Sequence, residues 1–158
     1  MNTALSLLVA FMASTIGLAV VAVAMICMGF AGAPGALVYE FGKRKQSIAM
    51  RMSGILLAGL AQAFVVAAYC VFVLSLMHLL LHFRPSLPSW PLWIAAGFHT
   101  IAIPGYAAKE REAERTAQYL SLPIVSVAAI GTFVLSIVSP ATLAPLFSWV
   151  PYFEEILR

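Results

Sequence analysis

Residues 53–83 run for 31 positions without an Asp, Glu, Lys or Arg, SGILLAGLAQAFVVAAYCVFVLSLMHLLLHF, closed off by Arg51 on one side and Arg84 on the other. Burying such a run in water takes a large protein, and 158 residues do not supply one. A bilayer asks only for about 20 apolar residues across its core. The run therefore predicts a transmembrane helix, and it places the whole chain among all-α polytopic membrane proteins. At about 1.5 Å per residue it reaches about 46 Å, against a hydrocarbon core of about 30 Å, so it must tilt or protrude.

Composition agrees. Hydrophobic residues make up 63% and charged residues 9%, against roughly 45–50% and about 25% in soluble domains. Asp is absent and the six acids are all Glu. The excess of three positive charges sits beside the apolar runs, which reads as topology rather than as a nucleic-acid footprint. Cys27 and Cys70 lie in separate apolar segments with neither a pair motif nor ligand spacing, and read as small packing residues.

Three further apolar runs flank the central one. The first, 3–33, contains AGA at 31–33, which resembles a signal-peptidase site. No Lys or Arg precedes it, and it far exceeds a signal core of about 7–15 residues, so it reads as a retained helix. GFAGAPG at 29–35 supplies breakers at the expected membrane edge. Ala10, Ala13, Ser14 and Gly17 form a small-residue stripe within this helix. The third run, 90–108, opens on Trp90, Pro91 and Trp93, an aromatic belt with proline in the first turn. The fourth, 120–149, carries Pro123, Pro140 and Pro145 and leads into a tail where Phe147, Trp149, Tyr152 and Phe153 read as an interfacial anchor.

Charge sets the orientation. The loop 40–52 holds Lys43, Arg44, Lys45 and Arg51, and the loop 109–119 holds Lys109, Arg111 and Arg115. The turn between the second and third runs holds only Arg84. The positive-inside rule makes both basic loops cytoplasmic and both termini external, giving four helices in a single domain, 1–158. The expected location is the cytoplasmic (inner) membrane of a prokaryotic cell.

Helix contacts are expected along Gly59, Ala63 and Ala67, spaced four apart in the central run. Small residues let backbones approach, and the adjacent Gln62 amide wants an interhelical hydrogen bond. For chemistry, the candidates are His78, His82 and His99. Antiparallel neighbours joined by a short turn would bring His78 and His99 to similar depth, as a b-type haem requires of two axial imidazoles. His78 and His82, at i,i+4, are the alternative metal pair. Neither has an intramembrane carboxylate to orient it.

No charged residue lies inside any run, whereas ion and proton pathways are normally marked by such groups. No nucleophile motif accompanies a base and an acid. The sequence thus points to an accessory or structural subunit of a larger membrane complex, or a homo-oligomer, without catalytic activity of its own. Behind it stand an electron-transfer subunit using His78 and His99, and an oligomeric small-molecule transporter. The bilayer and other membrane subunits are the expected partners.

Overall fold

The chain reverses at residues 45–47, between two very long helices. The computed structural model describes residues 2–83, 85, 90, 93, 94, 97 and 120–158, with side chains in the first helix described at Ala4 and from Ala22 onward. Helix α1 runs Asn2–Arg44 and α2 runs Ile48–Phe83. Lys43 and Arg44 occupy the last turn of α1, where cations favour the carbonyl end of the helix dipole. The reversal is a Schellman turn: Ser47 N–H donates to Gly42 O at 2.9 Å and Gln46 N–H to Lys43 O at 3.3 Å. Gln46 takes the left-handed position, φ 52°, that glycine usually fills. Ser47 then caps α2 through its hydroxyl, which accepts from Met50 N–H at 3.4 Å.

The break expected at GFAGAPG does not occur, and α1 continues through it to Arg44. Pro34 lies on the exposed side, while Gly32 and Gly35 are buried. Small residues there let α1 lie directly on α2, and that close packing carries the helix past a proline that removes one backbone donor. A methyl on Gly35 would sit 2.5 Å from Gly54 O and 2.7 Å from Ala58 Cβ; one on Gly54 would sit 2.5 Å from Tyr39 N. The basic segment 40–52 is accordingly two helix ends and a tight turn rather than a loop. Likewise α2 begins at Ile48, before the uncharged run.

Helix α3, Leu122–Val138, is also shorter than the run 120–149 that holds it. Pro140 disfavours helix at Ser139, whose backbone leaves the helical region (φ −151°, ψ 66°). A 3-10 turn, Pro140–Leu143, and two single-turn helices, α4 (Ala144–Phe147) and α5 (Glu154–Leu157), follow. This tail doubles back on α2 instead of lying flat as an anchor. Leu143, Phe147, Val150, Phe153 and Ile156 are buried against Ala67, Val71, Leu74 and Met77. Trp149 and Tyr152 alone of the expected anchor aromatics remain exposed.

Helix α2 is the axis of all this: α1, α3 and α5 each pack on it. No strand occurs among the described residues, which form an all-helical fold. Two of its helical segments, Ala22–Arg44 and Ile48–Phe83, are long and apolar enough to cross a membrane. The third expected helix (90–108), the loop 109–119, His99 and the stripe from Ala10 to Gly17 lie outside what is described, apart from the helical backbone of α1 and positions 90, 93, 94 and 97.

Candidate functional site

Gln62 joins three helices. Its side chain is 1% exposed, with Nε2 donating to Met28 O of α1 at 3.3 Å. Its Oε1 accepts from Ser121 Oγ, one residue before α3, at 2.8 Å. In an apolar interior an unpaired amide is costly, so one side chain that satisfies itself on both neighbours fixes their axial register. Gly59, one turn earlier, faces the same helix: a methyl there would meet Ile124 Cδ1 at 2.7 Å and Ser121 Cβ at 3.1 Å. Beyond the amide the junction turns apolar, with Met28, Val66, Tyr69, Cys70, Val125 and Ala129 in one cluster.

Ala63 and Ala67 are both buried, and Ala67 belongs to the layer under the tail. The four-residue stripe therefore serves two neighbours: Gly59 meets α3, and Ala67 meets the tail. A closer approach lies elsewhere, where Gly35 meets Gly54 and Ala58, at a site sequence reasoning read as a helix breaker. The signal was present in the small residues of GAPGA, but proline next to glycine outweighed it.

The remaining buried hydroxyls turn inward on their own helices. Ser75 Oγ donates to Val71 O and Ser136 Oγ to Thr132 O, each at 2.8 Å. This back-bonding satisfies a hydroxyl without a partner helix. Tyr69 Oη, buried with its ring, has no hydrogen-bond partner among the described residues.

His78 is half-buried, its ring edge-on to Trp93 with centroids 5.7 Å apart, and Trp93 in turn meets Phe133 edge-on at 6.5 Å. His82 is exposed and lies against Phe83. Its ring and that of His78 thus have different neighbours. The position of His99 falls outside the described residues. On the returning tail Glu155 pairs with Arg158 at 3.3 Å. No group of three His, Cys, Asp or Glu side chains converges among the described residues.

A second polar feature lies at the α1–α2 turn. Lys43, Arg44, Lys45 and Arg51 surround it with Glu40 as the single acid; Lys43 reaches Glu40 at 4.0 Å and Lys45 lies over the Phe41 ring at 5.7 Å. Leu37, Val38, Glu40, Phe41, Arg44 and Met50 line an open cleft of about 430 Å³ there. No family model, curated protein or solved structure matches this chain, so any functional reading rests on the geometry alone.

Proposed function

We propose that this chain is a small multi-pass membrane subunit that acts by packing against partner chains. The observation that carries the reading is the axial mismatch between its helices. Ser121 and Ile124 meet α2 at Gly59 and Gln62, so α3 begins there, whereas the α1–α2 hairpin continues to Gln46. Thirteen residues at about 1.5 Å each make that overhang about 20 Å. Along it Leu37, Ile48 and Met52 are 73%, 69% and 53% exposed. Lipid covers such a surface within the bilayer, and the reading assigns a partner chain to the part that projects from it.

The same register supports a reading with four crossings. α3 starts beside Gln62, and its Val125 and Ala129 join Val66, Tyr69 and Cys70, so α2 and α3 run parallel. The proposed return crossing, from the level of Phe83 to that of Gln62, covers about 31 Å at helical rise, and the apolar run 90–108 is the stretch of sequence we assign to it. With the basic turn inside, both termini lie outside, as expected for an inner-membrane protein. The buried polar groups that are described, Gln62, Ser75, Ser121, Thr132 and Ser136, are all uncharged. They suit a scaffold better than an ion path.

Native mass spectrometry after extraction in mild detergent tests the reading. It should recover the chain with partner subunits or as a defined homo-oligomer. A stable monomer that alone sustains flux or turnover in liposomes would overturn it.

A further inference from the structure

We infer that the tip of the α1–α2 hairpin is the docking surface of this subunit and that its occupant is an acidic amphipathic segment of a partner protein. The inference rests on the accessory-subunit reading and adds where the partner binds and what chemistry it presents.

Shape comes first. Leu37, Phe41 and Arg44 fall at i, i+4 and i+7 on α1 and line one wall of the cleft, with Met50 of α2 opposite. That spacing presents one continuous helical face. Leu37 and Phe41 are 73% and 49% exposed, and Met52 of α2 53%. The hairpin beneath is stiff, because Gly35, Gly42 and Gly54 hold the two backbones in direct contact. A methyl on Gly42 would sit 2.8 Å from Arg51 N. A rigid groove loses little conformational freedom when it is filled.

Charge selects the occupant. Four cations against one carboxylate leave the tip with a net excess of three, taking Lys43, Arg44, Lys45 and Arg51 with Glu40. A second copy docked tip to tip would oppose like charges. A segment carrying Glu or Asp beside its apolar residues satisfies both features, with carboxylates toward Arg44 and Arg51 and apolar side chains toward Leu37, Phe41 and Met50.

A basic cluster alone attracts anionic lipid headgroups. The apolar wall of Leu37, Phe41 and Met50 beside it makes this cleft fit a segment that carries side chains.

The test uses the full chain in neutral-lipid nanodiscs, with a fluorophore on Ala49→Cys in a Cys27→Ala background. Three probes are titrated: a helical peptide of leucines at i,i+3/i+4 spacing with glutamates elsewhere, its lysine counterpart, and nanodiscs containing phosphatidylglycerol. The glutamate peptide should bind, weaken with added salt, and lose at least tenfold in affinity on Phe41→Ser. Arg44→Glu with Arg51→Glu should reverse the preference to the lysine peptide, which also shows that the variant is folded. Equal binding of both peptides by the unmodified tip, a response to the anionic lipid alone, or self-association in place of peptide binding would each overturn the assignment. Detergent extraction separates its failure from that of the subunit reading. Partner chains recovered equally with the wild-type tip and with the doubly reversed one leave the subunit reading standing and remove the tip from it. Recovery of neither a partner nor a defined homo-oligomer with the wild-type chain removes the subunit reading itself.

Discussion

Ser121 Oγ and Gln62 Oε1 lie 2.8 Å apart, a buried hydrogen bond between residues 59 positions distant in sequence. Because the same amide also donates to Met28 O, one side chain sets the register of α1 and α3 against α2. Gln62→Leu removes both bonds and should cost about 1–2 kcal/mol; Ser121→Ala removes one and should cost about 0.6 kcal/mol, the usual scale for polar contacts between membrane helices. Equilibrium unfolding in mixed micelles measures both. A Gln62→Leu protein as stable as wild type would remove the junction from the account.

The glycines should differ sharply among themselves. At Gly54 an added methyl meets backbone, Tyr39 N at 2.5 Å and Gly35 O at 2.7 Å. At Gly59 the nearest atom is the end of the Ile124 side chain, which can turn aside. At Gly131 nothing lies within 4 Å. Gly54→Ala should therefore cost more than Gly59→Ala, about 2 kcal/mol against about 1, and Gly131→Ala should be neutral or stabilising. Thermal unfolding of the three variants checks the order, and a Gly54→Ala protein that unfolds with Gly131→Ala contradicts the close hairpin.

The subunit reading expects a colourless protein. The His78 ring is edge-on to Trp93 and the His82 ring is beside Phe83, so His78→Ala should alter tryptophan fluorescence and leave the visible spectrum flat. A Soret band that survives His82→Ala but disappears in both His78→Ala and His99→Ala would instead make this an electron-transfer subunit.

How much of this was legible in the sequence depends on the scale of the force involved. The axis of the fold was, because 31 uncharged residues leave helix in an apolar medium as nearly the sole choice. Gln62 stood out for the same reason: an amide amid Ala, Leu and Val attracts notice. Its partner did not, since Ser121 is one serine among many and its role comes from the axial level at which α3 begins. Pro34 read as a stop because local propensity treats proline alone; the contact of Gly35 with Gly54 that overrides it is tertiary. The tail misled through its composition. Its aromatics suit an interface, but Phe147 and Phe153 find more cover on α2, where Phe147 stacks on Phe64 at 5.5 Å.

The central claim is that α1 and α2 cross a membrane with their shared turn inside, and cysteine accessibility tests it most directly. Ser47→Cys sits in the turn and Ser86→Cys beyond the far end of α2, each in a Cys27→Ala, Cys70→Ala background. With a membrane-impermeant maleimide on intact cells, Ser86→Cys should label, and Ser47→Cys should label only after permeabilisation. Labelling of Ser47→Cys from outside, or release of the chain from membranes by alkaline carbonate, would contradict the account.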